Sequence, residues 1–403
     1  MEFLLIICVW VVSSVMGGRI LFHMPTPNYS HNAVYIPIIR EMARRGHHVV
    51  SITTRPIPPS PHVDLSNITQ IDVSFVRDYW DKFFEVIHPY TAITFMMDSP
   101  IGSQMGFWQR MKSIYIAIMS RWHTYFVVHP KSDVLARRHF GLDTPSVADM
   151  GRNVSIVISN RNQALGGKAI VPAMILVDML HIKKPNALPE VKFLDNATNG
   201  AVYFSLGSHI KSSKMSSDQI KEILQAFSGL PYGVLWKWEE ASLPGKPPNV
   251  KLCQWCPQQD ILAHPNVKLF MTQGGLQSLE EAIHFRVPIL GLPIQADQHF
   301  NIVTVHSKGI AEILDFYNVD STVIYSSRIS LLAELMEDQP QRPLERAAWW
   351  LEHVMRWGGA AHLRAAMLPW YQLLLLDLIM IFYYLKCTNL VSINKHLYSS
   401  HPI

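Results

Sequence analysis

The chain has 403 residues, 49% hydrophobic and 16% charged, with a formal net charge of +4. Such a composition can build a large core, which excludes a disordered chain, and the length suits two domains with segments left over for the ends. The charges are scattered and no Lys/Arg block stands out, which excludes nucleic acid as a partner.

An apolar run from Leu4 to Val12 opens the chain and is followed by the small residues Ser13, Ser14, Gly17 and Gly18. This predicts a signal peptide over residues 1–17, although Glu2 stands where a basic start is usual. A strand is expected over Arg19 to Met24, then a Pro-rich loop through Pro25 and Pro27. A helix with Ile36, Ile39 and Ala43 on one stripe follows, stopped by Gly46, and His48 to Thr53 reads as a second strand. Residues 56–61 read as irregular, and the pattern stays weak until the strand-like run Val154 to Ser159.

The second half is more regular. Strands are expected over Ala201 to Leu206, Tyr232 to Trp238, Val250 to Cys253, Val267 to Thr272, Val287 to Leu292 and Ala311 to Leu314. Between them lie a helix capped by Ser216, Ser217 or Asp218, a short helix from Gln258 to Ala263, a helix around Glu280 to Phe285, and one ending at Lys308 before Gly309. This alternation is that of doubly wound α/β domains, whose ligands bind beyond the carboxyl ends of the strands. The segments ending at Ser208, Cys253, Thr272 and Leu292 should therefore line one crevice. Near the end, residues 367–385 form an apolar run interrupted by Pro369, Gln372 and Asp377, a marginal membrane span with a buried or interfacial helix as the competing reading.

Cys253 and Cys256 form a lone C-x-x-C with no second pair to complete a zinc site, and read as ordinary cysteines near a loop. N-x-S/T sequons at Asn28, Asn67, Asn153 and Asn196 point weakly to a lumenal compartment.

Three strand-end segments carry groups with a use in common: W-C-P-Q at 255–258, T-Q-G-G-L-Q-S-L-E-E at 272–281 and P-I-Q-A-D-Q at 293–298. Gly274 and Gly275 allow close approach of a ligand to the backbone, and the N–H groups opening the next helix suit a diphosphate. Gln273, Gln277 and Ser278 can donate hydrogen bonds to phosphate oxygens. Trp255 offers a stacking face for a base, Glu280 or Glu281 can accept from ribose hydroxyls, and Asp297 and Gln298 can bind sugar hydroxyls.

Taken together, Trp255 to Gln298 resembles the donor-binding signature of the UDP-glycosyltransferase family, and the T-Q-G-G variant is most similar to the insect and baculoviral ecdysteroid branches. Val202 to Ser208 resembles the opening of the family's C-terminal domain. The segments Asp338 to Pro340, Pro343 to Trp350 and Gly359 to Arg364 resemble its closing helices, and Ser30 to His47 its first βα unit. The resemblance implies two facing Rossmann-like domains of GT-B type. Residues 18–187 would form the acceptor domain, 188–345 the UDP-sugar domain, and 346–403 the closing helices with a membrane-proximal helix. It implies that Trp255 stacks on uracil with Gln258 beside the nucleoside. Ser208, Gln273, Gly275, Gln277 and Ser278 would hold the diphosphate, Glu281 the ribose, and Asp297 and Gln298 the hexose. Gln273 stands where most animal relatives have His. His31 is implied as the catalytic base. The resemblance implies no cofactor and no metal, in keeping with the absence of any D-x-D. UDP-glucose or another UDP-hexose would be the co-substrate, and a small lipophilic acceptor such as a phenol or steroid the partner.

The family pattern lapses between Phe84 and Asp98, where the strand carrying the family's catalytic aspartate is expected, and Asp98 lacks the matching context. Two readings follow. One is an inverting hexosyltransferase, anchored at the endoplasmic reticulum membrane with its catalytic part lumenal and with homo-oligomers left open. The other is a splice form or decayed copy that binds UDP-sugar or a partner subunit without turnover. Phe75, Tyr79, Trp80, Phe107 and Trp108 offer aromatic surface for an acceptor, or for core packing.

Overall fold

The computed structural model describes residues 17–24, 29–59, 65–74, 106–166, 172–186, 191–208, 210–294, 297–314, 325–360 and 363. Nearly all of the expected signal peptide, together with Phe75, Tyr79, Trp80, Asp98 and the apolar run 367–385, lies outside them.

In the first half β1 (Arg19–Met24), β2 (His48–Thr53) and β3 (Ile68–Asp72) form a parallel sheet in the order β1-β2-β3. The first two strands fall on the expected residues. Strand side chains alternate between faces, so β1 buries Ile20, Phe22 and Met24 on one side. Helix α1 (Tyr29–Arg44) contributes Ile38, Ile39, Met42 and Ala43 to the same core. It stops at Gly46, whose φ of 87° is accessible to glycine without strain. β3 escapes the sequence reading because its segment ITQID buries only Ile68 and shows no alternation.

β4 (Val157–Asn160) and β5 (Met174–Val177) pair in a separate two-stranded sheet. Among the described residues the first half thus holds two parallel sheets. Between them run α2 (Phe107–His123), a π-helical turn (Thr124–Val128), α3 (His129–Phe140) and α4 (Val147–Arg152). No residue of the π turn or α3 is buried, and Trp108 and Phe140 are 80% and 82% exposed. Phe107 and Trp108 therefore stand on an exposed helix and not in a core.

The second half is one six-stranded parallel sheet in the order β11-β10-β9-β6-β7-β8. Its strands are β6 (Ala201–Ser205), β7 (Gly233–Lys237), β8 (Val250–Cys253), β9 (Val267–Thr272), β10 (Ile289–Gly291) and β11 (Ala311–Ile313). The helices are α5 (Val191–Asn196), α6 (Ser217–Ser228), α7 (Gln258–Leu262), α8 (Leu276–His284), α9 (Gln298–Ser307) and α10 (Tyr325–Glu337). Ser216 caps α6 in a reciprocal box with Gln219. Both faces of the sheet are covered, so the central strand β6 is buried throughout, while β8 and β9 each expose one lysine, Lys251 and Lys268. Tyr203 stacks on Phe270 at 5.1 Å on one face, while Phe204 meets Trp236 at 5.0 Å on the other.

Helix α11 (Pro343–Arg356) returns to the first half, where Ala347, Ala348 and Leu351 join the core of α1, β1 and β5. Arg346 donates to the Leu176 carbonyl at 3.1 Å, and Glu352 pairs with Arg45 at 3.2 Å. Among the described residues no helix is long and apolar enough to cross a membrane; the expected membrane segment lies outside them.

Candidate functional site

The strand order reverses direction between β6 and β9: β7 and β8 lie to one side, β10 and β11 to the other. Such a switch point opens a crevice at the carboxyl edge, because the connections on its two sides leave in opposite directions. Ser205 is paired with Thr272 across it. The turns Gly207-Ser208 and Gln273-Gly274-Gly275 therefore emerge side by side.

The geometry there depends on missing side chains. A Cβ on Gly207, which has φ 74°, would collide with the Gln273 amide, and one on Gly274, with φ 89°, would collide with Ile302. Thr272 Oγ1 donates to Gln273 Oε1 at 3.1 Å, fixing the buried amide so that its Nε2 faces Gly207 and Gly275. Helix α8 opens at Gly275 with no side-chain cap, leaving its first N–H groups directed at the crevice. Gln277 and Ser278 lie half-buried on its first turn, and Ser208 is exposed at the rim.

Trp255 follows β8 and is 61% exposed, with Lys237 Nζ 5.8 Å from its ring centroid. Lys237 is itself held by Glu239 at 2.9 Å. Cys253 and Cys256, read from sequence as ordinary loop cysteines, are joined as a disulfide that brackets Trp255.

Gln258, Ser278 and Glu281 come together. Gln258 Nε2 donates to Glu281 Oε2 at 2.6 Å and to Ser278 Oγ at 3.0 Å, and Tyr203 Oη donates to Gln258 Oε1 at 3.3 Å. The alternatives Glu280 and Glu281 are separated by the helix, since adjacent residues point about 100° apart. Glu281 faces Gln258 and Ser278. Glu280 is fully buried on the far side against His181, whose Nδ1 is 3.6 Å from its Oε2. Neither Glu280 oxygen makes a hydrogen bond of good geometry, and burial pushes its carboxyl up to about 7; His181 opposes the rise and Asp178 adds to it. Burial alone would lower the His181 ring, but Glu281 and Glu280 outweigh it and hold the ring above its ordinary value. Burial likewise raises Asp178, against its hydrogen bonds from Gln339 at 3.0 Å and Asn162 at 2.6 Å.

Asp297 is exposed at the start of α9, and its Oδ2 accepts from Asn301 Nδ2 at 3.0 Å. Gln298 turns inward instead, accepting from the Ile294 amide at 3.0 Å. His31 is half-buried on the first turns of α1, just past the loop leaving β1. Asp98 lies outside the described residues, so no acid is assigned beside it.

Sequence reasoning missed His181, Gln259, Asn301 and Lys237. Each acts through a neighbour and none carries a motif of its own; only Gln259 had a signal, standing next to Gln258. Among the described residues no group of three or more His, Cys, Asp or Glu is placed to hold a metal ion.

The family model described as "UDP-glucoronosyl and UDP-glucosyl transferase" matches residues 65–399. The chain belongs to this family. It is 35% identical over 316 residues to a UDP-glycosyltransferase (UGT5) of Dactylopius coccus, covering 74% of this chain and 60% of that protein. A second Dactylopius coccus relative, UDP-glucosyltransferase 2, is 37% identical with 57% of its length covered, so the chain spans about 60% of these UDP-glycosyltransferases. The ecdysteroid UDP-glucosyltransferase of Spodoptera littoralis nuclear polyhedrosis virus is 27% identical, with 94% of this chain and 96% of the viral enzyme covered. That match runs over 500 residues, more than this chain possesses, so part of the viral enzyme has no counterpart here. Among solved structures, the kitacinnamycin glycotransferase superposes with TM-score 0.55 at 16% identity, covering 84% of this chain and 99% of that one. A UDP-glucose: anthocyanidin 3-O-glucosyltransferase in complex with UDP gives 0.52 at 15% identity, covering 84% and 98%. These likenesses establish the GT-B-type α/β fold of the family.

Proposed function

We propose that the chain binds a UDP-sugar at the carboxyl edge of the six-stranded sheet and transfers the hexose, with inversion, to a hydroxyl of a small lipophilic acceptor. The observation that carries this is the meeting of Gln273, the Gly274-Gly275 turn and the open N-terminus of α8 at the β6/β9 switch point, with Gln258, Ser278 and Glu281 alongside. In this reading uracil stacks on Trp255, the diphosphate sits at Gly207 to Ser208 and Gln273 to Ser278, Glu281 accepts from the ribose, and Asp297 engages the hexose while the inward-turned Gln298 holds the loop before it through the Ile294 amide. Glucose is the proposed sugar.

His31 takes the proton of the acceptor hydroxyl as that oxygen attacks the anomeric carbon. The bond from that carbon to the diphosphate oxygen breaks on the opposite side, and UDP departs with the electron pair. The α8 dipole and the amide donors stabilise the charge that develops there, and the reaction as proposed uses no metal. A lumenal setting at the endoplasmic reticulum membrane is part of the proposal. It is supported by the apolar start, the run 367–385 and the exposure of Asn153 and Asn196 within their sequons.

A second reading is favoured by one observation. The apolar side chains of α2, the π turn and α3, among them Trp108, Phe126 and Phe140, stand exposed among the described residues, which supports an incomplete acceptor domain. A chain of this kind would bind UDP-sugar with little or no turnover. Calorimetric titration with UDP, followed by a product assay with UDP-glucose and a simple phenol, tests both. Binding with turnover supports the transferase, binding without turnover supports the second reading, and no binding sinks both.

A further inference from the structure

The loop after β5 carries a histidine that the reaction does not use but that reaches the donor site. Met179, at φ 51°, turns the chain so that Leu180 enters the first-half core while His181 lodges against α8, its side chain 4% exposed. His181 Nε2 lies 3.3 Å from Glu281 Oε1 and 3.3 Å from the Gln277 carbonyl, both on the helix that opens the diphosphate subsite. Gln259 closes the circuit. Its Nε2 donates to Glu281 Oε1 at 2.9 Å and to the His181 carbonyl at 3.1 Å, while its Oε1 accepts from the Lys183 amide at 2.8 Å.

A carboxylate has about four acceptor positions on its two oxygens. Two are taken here by hydrogen bonds, from Gln259 on Oε1 and from Gln258 on Oε2, while His181 Nε2, bonded to the Gln277 carbonyl, stands at ion-pair distance from Oε1. The positions that remain take their direction from these two donors and the imidazole beside them. A carboxylate on a free rotor would gain much less from a ribose hydroxyl, because ordering it would cost side-chain entropy. Two of these three anchors depend on residues 181–183, which precede the second half.

We propose that His181 is a positioning residue for nucleotide recognition: it orients the Glu281 carboxylate toward the ribose and so sets the preference for a ribonucleotide over a 2′-deoxyribonucleotide. This rests on the reading of Glu281 as the ribose acceptor. His181 touches no substrate; it acts through Glu281 and through the Gln277 carbonyl.

The test is calorimetric titration of the purified full chain with UDP and with 2′-deoxy-UDP. The unsubstituted chain is expected to prefer UDP by about tenfold or more, as for one hydrogen bond to a charged group. In His181→Ala the preference falls toward unity, through weaker UDP binding with 2′-deoxy-UDP little changed. His181→Gln, which keeps an N–H donor, retains most of it. Equal weakening of both nucleotides in His181→Ala would show a merely structural residue and overturn the proposal. If His181→Ala fails to fold, Gln259→Met decides: it removes the companion donor on Oε1, and an undiminished preference there would overturn the proposal. UDP binding without any preference in the unsubstituted chain overturns the role of Glu281, and with it that of His181. Absence of UDP binding overturns the functional reading itself.

Discussion

Asp297 and Gly274 share one partner, the side-chain amide of Asn301, which donates to the Asp297 carboxylate at 3.0 Å and to the Gly274 carbonyl at 3.1 Å. The proposed hexose contact is thereby tied to the turn at the diphosphate subsite. Asp297→Ala should leave UDP affinity unchanged and remove the extra affinity for UDP-glucose, since only the sugar would touch this carboxylate. Asn301→Ala, which also frees the Gly274 turn, should weaken UDP and UDP-glucose alike and destabilise the fold by about 1–3 kcal/mol, because it leaves a buried carbonyl unpaired. Titrations with UDP and UDP-glucose, and chemical denaturation, check these outcomes; equal losses for both ligands in Asp297→Ala would make that residue structural.

Trp255→Ala should weaken UDP binding by about 1–3 kcal/mol, the range for loss of one base-stacking platform. Its 61% exposure means that little folding stability goes with it. Calorimetry with and without a chelator is the measurement. Binding that survives the substitution, or vanishes on chelation, contradicts the assignment.

Gly207→Ala should lower both stability and UDP affinity. A left-handed φ of 74° strains any side chain, and the new methyl would displace the Gln273 amide. The expected cost in stability is about 1–2 kcal/mol. A variant with normal melting temperature and normal UDP affinity would show that the Gln273 amide is not confined as described.

The buried acids under α8 should make stability depend on pH. The Glu280 carboxyl rises from an ordinary 4.5 to about 7 on folding, so the unfolded chain loses this proton first as pH increases. Stability from this group falls between about 4.5 and 7 and then levels off. Asp178 and His181 are also raised, so both act in the same direction; the His181 contribution is present below its ordinary 6.5 and is lost above it. Glu280→Gln should therefore stabilise the protein at pH 8 by on the order of 1–3 kcal/mol and change it less at pH 5. Melting curves across pH 5–8 test this; parallel profiles for the two proteins would refute the buried-acid account.

His31→Ala should abolish any transfer while leaving UDP binding intact, because the proposed base lies on α1 and the proposed donor residues on the other half. The chain as it stands should glucosylate simple phenols weakly or not at all, and restoring a segment between Phe84 and Asp98 should raise the rate. In serine proteases, loss of the carboxylate behind the catalytic histidine lowers turnover about 10⁴-fold. Product assays on microsomes expressing each form are decisive. Strong turnover by the 403-residue chain, untouched by His31→Ala, would overturn both the base and the claim of damage.

Local patterns carried much of the second half. Val250 to Cys253 and Val267 to Thr272 are strands over those same residues: each is a short apolar run broken by one exposed lysine, Lys251 or Lys268. The same logic failed for β3, which buries one side chain, and for the helices from Phe107 to Phe140, where Ile116 is the one buried hydrophobic among the described residues. Periodicity reports a buried face, and these elements have almost none.

By itself the sequence determined the parallel α/β character of the second half, the crevice segments and the kinds of groups they bring, since these depend on neighbours within a few residues. Only the tertiary structure decided that Glu280 is buried against His181, that Gln298 turns inward while Asp297 stays out, and that His181 reaches α8. Those outcomes depend on packing between residues as much as 100 positions apart, as in the 3.3 Å approach of His181 to Glu281, and no local spacing encodes them.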